Sequence, residues 1–371
     1  MILLNIQRDT LLKQLQLVIG IVERRHTLPI LSNVFIGKSL NQLTLMATDL
    51  EIEVSTKIDC DDLNEAFSIT VPAKKLQDIC RALDDNASIG FHKDDSKILV
   101  KSGKSRFTLQ TLPAADFPKI SDLIDSKRSI VIPQKILKEL FGQVQYAMAL
   151  QNIRYYLNGL LLILETDTVK IVATDGHRLA MVSHKLSQLG DAQNAQEVIL
   201  PRKTVLELVK LLGDNDEGVT IEIGQNQVRF AFSTILMVSK IIEGKFPDYN
   251  RAIPINYQNN LTMDRTVLLQ TLQRAGILST DKIGGVRLIL TPNCLRVLCS
   301  NSEQEEAQEE LEVAYDGVSL DIGFNIKYLL DVLTHFNDEK ITCSFGDENS
   351  SVLITIPDKN NFKYVVMPMR I

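Results

Sequence analysis

No run of about eighteen apolar residues occurs in the 371-residue sequence, so no membrane-crossing helix is expected. The opening Met1-Ile-Leu-Leu-Asn-Ile6 lacks a basic region and a small-residue cleavage pattern. It reads as the first strand of a cytoplasmic protein. Cysteine is sparse: Cys60, Cys80, Cys294, Cys299 and Cys343 are an odd set without a Cys-x-x-Cys pair. That spacing argues against structural zinc and for buried, reduced thiols, with Cys80 on an apolar helix face. Histidine is equally scarce, and no two histidines share a helix face at ligand spacing. There is no Gly-x-Ser-x-Gly elbow and no Gly-x-x-x-x-Gly-Lys-[Ser/Thr] phosphate loop. Asp175 and His177 invite an acid–base reading, but no activated nucleophile accompanies them. Neither catalysis nor a metal or cofactor is expected. A repeat scaffold that binds other proteins is the remaining alternative to a nucleic-acid role.

What is present is a repeat. Hydrophobic residues make up 45% and charged residues 23%, a globular composition, and the length suggests two or three domains. Met46-Ala-Thr-Asp-Leu50 returns inside Ile171-Val-Ala-Thr-Asp-Gly-His-Arg-Leu179, and more faintly as Leu298-Cys-Ser-Asn301. Ala47, Ala173 and Cys299 are therefore 126 residues apart in each step. Each third of the chain reads strand, helix, three strands, twice over. In the first third a helix covers about 8–20, with strands around Asn33–Ile36 and Leu43–Val54. A helix then runs from Pro72 to about Leu83, and a hairpin turns at Ser102-Gly103-Lys104. In the second, Pro133 opens a helix reaching 149, strands follow at about 157–165 and 169–174, and a helix starts at Pro201. A hairpin turns through Gly224-Gln-Asn-Gln227. The last third ends on a strand from Tyr364 to Ile371.

Equivalent helices carry equivalent stripes. Leu76, Ile79, Cys80 and Leu83 occupy i, i+3, i+4 and i+7, as do Val205, Leu208, Val209 and Leu212, and Leu329, Val332, Leu333 and Phe336. A lysine stands two residues before each stripe: Lys74, Lys203 and Lys327. Net charge is −6, which alone disfavours a nucleic-acid partner. Its distribution reverses that. The six helix windows (8–20, 72–83, 133–149, 201–212, 264–276 and 325–336) together carry +7 and the rest of the chain −13. Helix propensity favours Glu as much as Lys or Arg, so propensity alone does not explain basic helices. A helical surface facing a polyanion does, through phosphate contacts independent of base sequence.

Thr27-Leu-Pro-Ile-Leu31, Ala114-Ala-Asp-Phe-Pro118, Arg154-Tyr-Tyr-Leu-Asn-Gly159, Ala173-Thr-Asp-Gly-His-Arg-Leu-Ala180, Phe246-Pro-Asp-Tyr249, Gly323-Phe-Asn325 and Tyr364-Val-Val-Met-Pro-Met-Arg370 run from end to end. Together they resemble the bacterial replicative sliding clamp family, the β subunit of DNA polymerase III. The resemblance implies an α+β fold of three repeated clamp-type domains, at 1–125, 128–252 and 253–371. Each holds two βαβββ units, helices inside and antiparallel sheets outside. Two subunits close head to tail into a ring around duplex DNA, loaded by an ATP-dependent clamp loader, and the ring tethers polymerase subunits and other proteins with clamp-binding motifs. A closed ring also removes exposed sheet edges, and weak contacts then permit sliding.

The resemblance also implies site residues. A partner-peptide pocket matches Leu157, Thr174, Gly176, His177, Arg178, Leu179, Pro247, Ala252, Asn325, Tyr328, Ser351, Val365, Met367, Pro368, Met369 and Arg370. Methionines suit an adaptable apolar surface, and His177, Arg178 and Arg370 are expected to rim it. At Ala252 a larger aliphatic residue is the family habit, which implies a shallower subsite. DNA contacts are expected from Arg25, Lys74, Gln151, Tyr155, Tyr156, Arg202, Lys203 and Arg251, with Arg202 and Lys203 at a helix start. A period-2 strand would put one of Tyr155 and Tyr156 in the core. The acidic run Glu303–Glu310 would ordinarily be a solvated loop. The resemblance instead brings Glu303, Glu305 and Glu306 to the next subunit's Lys104 and Arg106, with Phe107, Leu109, Ile277 and Leu278 as apolar partners.

Overall fold

Twenty-four strands and six α-helices follow one another as six βαβββ units among the described residues. The computed structural model describes residues 2–23, 28–60, 65–94, 96–120, 128–186, 195–279 and 284–370. The first unit is β1 (Ile2–Gln7), α1 (Arg8–Val18), β2 (Asn33–Ser39), β3 (Gln42–Thr48) and β4 (Ile52–Asp59). The second is β5 (Phe67–Pro72), α2 (Ala73–Ala82), β6 (Ser88–Asp94), β7 (Lys97–Ser102) and β8 (Ser105–Gln110). The third is β9 (Arg128–Pro133), α3 (Gln134–Gly142), β10 (Gly159–Leu164), β11 (Thr168–Thr174) and β12 (Arg178–Lys185). The fourth is β13 (Gln196–Pro201), α4 (Arg202–Leu211), β14 (Gly218–Ile223), β15 (Gln227–Phe232) and β16 (Ile235–Lys240). The fifth is β17 (Asn259–Asp264), α5 (Arg265–Ala275), β18 (Gly285–Thr291), β19 (Cys294–Ser300) and β20 (Glu306–Glu312). The sixth is β21 (Leu320–Asn325), α6 (Ile326–Thr334), β22 (Lys340–Phe345), β23 (Val352–Ile356) and β24 (Lys359–Val366).

The 126-residue step is structural. β3, β11 and β19 each span seven residues and begin 126 apart, at Gln42, Thr168 and Cys294. The strands form two eight-stranded and two four-stranded antiparallel sheets. One long sheet runs β5-β2-β3-β4-β16-β15-β14-β9 and the other β13-β10-β11-β12-β24-β23-β22-β17; the short ones run β1-β6-β7-β8 and β20-β19-β18-β21. In each long sheet two four-stranded halves are joined through their last strands, β4 to β16 and β12 to β24. The chain divides into two compact units, Met1–Ile136 with Lys210–Ile241, and Leu137–Val209 with Ile242–Ile371. Each unit holds one long and one short sheet. The helix stripes fill the cores: Leu76, Cys80, Val205, Leu208, Leu212, Leu329, Val332, Leu333 and Phe336 are buried. All five cysteines are free thiols, Cys80, Cys299 and Cys343 buried and Cys60 and Cys294 half-buried.

Several sequence expectations are corrected. The strand read over Leu43–Val54 is two, because Leu50 takes a positive φ of 77° and Asp49 accepts hydrogen bonds from the backbone N–H of Glu51 and Ile52. The helix expected to reach 149 stops at Gly142. The terminal strand stops at Val366, since Met369 N–H turns away to the carbonyl of Gly323. Tyr155 and Tyr156 lie in a 3-10 turn, Tyr155–Leu157, so strand alternation does not apply. The acidic run is only partly a loop: Glu303–Glu305 lie in a turn, and from Glu306 the chain is strand β20 (Glu306–Glu312), at a sheet edge. Arg25, expected on DNA, lies outside the described residues.

Candidate functional site

The turn between β11 and β12 is closed by its own side chains. Asp175 Oδ1 accepts from the N–H of His177 and Arg178 at 2.9 and 3.0 Å, while Thr174 Oγ1 donates to the Arg178 carbonyl at 2.6 Å and accepts from Gly176 N–H. Gly176 has φ +93°, open to glycine without strain. A Cβ there would stand 2.6 Å from Arg154 Nη2. The His177 carbonyl accepts from Met367 N–H at 2.9 Å, so the chain leaving β24 is tied beside this turn.

Arg178 turns inward rather than rimming the surface, with 8% of its side chain exposed. Its Nε meets Asp175 Oδ2 at 3.1 Å, Nη1 meets Asp331 Oδ2 at 2.6 Å, and Nη2 donates to the Tyr146 carbonyl. The Tyr328 ring lies 4.4 Å from the guanidinium carbon, and Tyr364 Oη donates to the Tyr328 carbonyl. Burial opposes the charge of Arg178, but Tyr364, Asp331 and Asp175 outweigh it and raise its pKa. Burial likewise raises Tyr328, Tyr364 and Tyr146. A strand-initial arginine reads as solvent-facing in sequence; only the fold brings Asp331 to it.

Outside this turn lies a cleft of about 390 Å³. Thr174, Gly176, His177, Arg178, Leu179, Ala252, Ser351, Val365 and Met367 line it. Its floor is apolar: Leu179 and Val365 belong to a buried cluster with Leu161, Val172, Ile199 and Phe246. Met367, 51% exposed, stands at the mouth. The other residues expected at the pocket lie off the lining. Leu157 is buried, Asn325 caps α6 by accepting from Lys327 N–H, and Tyr328 stacks under Arg178. Pro247, Pro368, Met369 and Arg370 also lie off it. Arg251, expected on DNA, lines the cleft beside Ala252 and pairs with Asp248 at 3.0 Å. Pro254, Tyr257, Asn349 and Ser350 complete the wall; they sit in connections without periodicity, and adjacency to Ala252 and Ser351 is their one signal.

Lys74 and Lys327 are exposed in the first turns of α2 and α6, and Lys203 is half-buried in α4. Arg202 is half-buried at the start of α4: its Nη1 donates to the carbonyls of Met148 and Gln145, and burial lowers its pKa. Gln151 and Tyr155 are exposed and Tyr156 half-buried, the two rings meeting edge to face at 5.9 Å. Lys104, Arg106, Glu303, Glu305 and Glu306 are exposed, Phe107 and Leu278 half-buried, Leu109 buried and Ile277 72% exposed. No group of three metal-binding side chains occurs among the described residues.

Family models for the DNA polymerase III beta subunit match residues 2–121 as N-terminal domain, 131–248 as central domain and 250–370 as C-terminal domain. The chain belongs to the DNA polymerase III β-subunit family. Among its relatives, the beta sliding clamp of Pseudomonas aeruginosa is 46% identical over 367 residues, 99% of each chain. That of Escherichia coli is 42% identical over the same share. A crystal structure of the Pseudomonas aeruginosa DNA polymerase sliding clamp with ligand superposes with TM-score 0.95 at 44% identity, over 100% of both chains. A β-subunit architecture also accounts for the six-fold unit, since a triplicated pair of βαβββ units is what three such domains require. No helix among the described residues is long and apolar enough to cross a membrane.

Proposed function

We propose that this chain is a DNA sliding clamp: a homodimeric ring that encircles duplex DNA and tethers a polymerase, without catalytic activity of its own. One observation carries the reading. The last strands of paired units join as β4 to β16 and β12 to β24. Among the described residues the two remaining last strands, β8 and β20, are both sheet edges. A third join of the same kind needs β20 of one copy against β8 of another, and two such joins close a head-to-tail ring. The charges fit, with Arg106 on β8, Lys104 beside it, and Glu306, Glu309, Glu310 and Glu312 along β20. Complementary charge would orient the contact, while Ile277, Leu278 and Phe107 hold it. We take the domain limits as 1–125, 128–252 and 253–371; the family matches favour three successive domains, with the C-terminal match beginning at 250.

The cleft beside His177 is read as the site for polymerase subunits, the clamp loader and other partner peptides. An apolar floor with a flexible methionine at the mouth suits several anchors. DNA would be held by Lys74, Lys203 and Lys327, with Gln151, Tyr155 and Tyr156 as further contacts, through sequence-independent attraction. The test is topological. Loaded onto nicked circular DNA, the protein is retained, and linearisation releases it. Equal retention on both forms would replace the clamp with an ordinary DNA-binding protein; retention on neither would leave a protein scaffold.

A further inference from the structure

The turn at Thr48-Asp49-Leu50 repeats four hydrogen bonds of the turn at Thr174-Asp175-Gly176. Leu50 N–H donates to Thr48 Oγ1 at 3.1 Å, as Gly176 N–H does to Thr174 Oγ1. Asp49 Oδ1 accepts from Glu51 and Ile52 N–H at 2.9 and 2.7 Å, as Asp175 Oδ1 does from His177 and Arg178. Lys240 N–H donates to the Glu51 carbonyl at 2.8 Å, where Met367 N–H donates to that of His177. Beneath the first turn lies a buried apolar cluster of Ile30, Leu31, Phe35 and Phe117, against which Leu50 packs. Beside it opens a cleft of about 460 Å³, lined by Leu50, Pro118, Lys119, Ile120 and Lys240 among others. All of these residues lie within the first compact unit.

The mouth differs in charge from its counterpart. Lys119 is exposed, its ammonium 4.8 Å from the Phe35 ring centroid, and exposed Lys240 reaches Glu51 at 3.2 Å. Two acids of the turn and its following strand are committed inward, while Asp116 before Pro118 is exposed: Asp49 caps the turn, and Glu53 is buried with Oε2 accepting from Ile120 N–H at 2.9 Å. Glu51 is the one exposed acid in this pairing, against two lysines. We infer that this cleft is a second docking site, for an acidic peptide that sets an apolar anchor over Leu50 and Ile120 and its carboxylates between Lys119 and Lys240. The inference rests on the reading of the His177 cleft as a peptide site, from which it takes the anchor geometry.

The probe is the peptide Asp-Glu-Leu-Asp-Leu-Phe carrying a photoreactive benzophenone at its N-terminus, with a Lys-for-acid version as control. Cross-linked to the full chain and mapped by mass spectrometry, the acidic peptide labels both 174–178 with 349–367 and 48–50 with 118–120. The control labels the second region at least tenfold less. Lys119→Gln with Lys240→Gln, both on exposed side chains, lowers labelling there about tenfold and leaves the His177 cleft unchanged. Labelling of the His177 cleft alone, or second-cleft labelling indifferent to these lysines, overturns the proposal. Labelling absent from the His177 cleft would instead overturn the reading of that first site.

Discussion

Arg178 Nη1 and Asp331 Oδ2 stand 2.6 Å apart, with 8% and 23% of the two side chains exposed, and so tie the turn after β11 to helix α6. The pair lies directly behind the cleft wall, and each of the three guanidinium nitrogens donates to a partner. Arg178→Ala leaves Asp331 and the Tyr146 carbonyl without their donor in a half-dry site. Breaking a buried pair from one side costs about 3–5 kcal/mol. Asp331→Asn keeps an acceptor and costs about 1–2 kcal/mol. Denaturant midpoints of the two variants measure this, and an Arg178→Ala loss below that of Asp331→Asn would contradict the assignment.

Gly176 and Leu50 occupy equivalent left-handed positions, φ +93° and +77°. Gly176→Ala therefore adds conformational strain of about 1–2 kcal/mol and pushes the far end of Arg154 out of its place. Thermal unfolding reads the strain. A variant as stable as the parent would mean that the turn relaxes, contrary to the hydrogen bonds that hold it.

Burial pushes the Cys343 thiol up to about 12 and that of Cys80 up to about 11, from an ordinary 9.0. Both are neutral in the folded chain where the unfolded chain would ionise. The folded state then binds more protons, so stability is intact below pH 9 and falls as pH rises from 9 toward 12, by about 1.4 kcal/mol per unit for each fully buried thiol. Cys343→Ala flattens this alkaline limb in unfolding curves taken at successive pH. Native thiol titration at pH 8 should modify Cys60 and Cys294 and spare the other three, which react only after unfolding.

The repeat was legible because it is local. A strand, a capped helix and a hairpin each leave a short-range pattern, and the 126-residue step puts β3, β11 and β19 in register before any contact is known. What stayed hidden depends on distant partners. Arg178 looks like a surface cation until Asp331 is brought to it. The break at Leu50 was masked because leucine rarely accepts positive φ, and the signal lay instead in Thr48-Asp49, whose side chains stabilise the turn. β20 was obscured by its charge: Glu306, Gln308, Glu310 and Glu312 occupy its exposed positions, a polar pattern that suits an edge strand as well as a loop.

Ile277 is 72% exposed in the short turn Gly276–Leu278, which packs beside β20. Exposure alone does not single it out, since Ile255 is exposed as much; its place beside the acidic edge strand β20 is what suits it to an interface core. Ile277→Asp would force a carboxylate out of water without a partner, a cost of several kcal/mol. Two copies of the interface in a head-to-tail ring would double that cost. The variant should run as a single chain at micromolar concentration in a solution mass measurement, and it should lose retention on circular DNA. Ile255→Asp, at a residue 77% exposed elsewhere, is the matched control and should keep the mass of two chains. Adding salt should slow the reassociation of the parent chain, through screening of Lys104 and Arg106 against Glu303, Glu305 and Glu306, with little effect on the assembled mass. A dimer unaltered by Ile277→Asp would remove this residue from the contact and leave β8 and β20 to find a different partner.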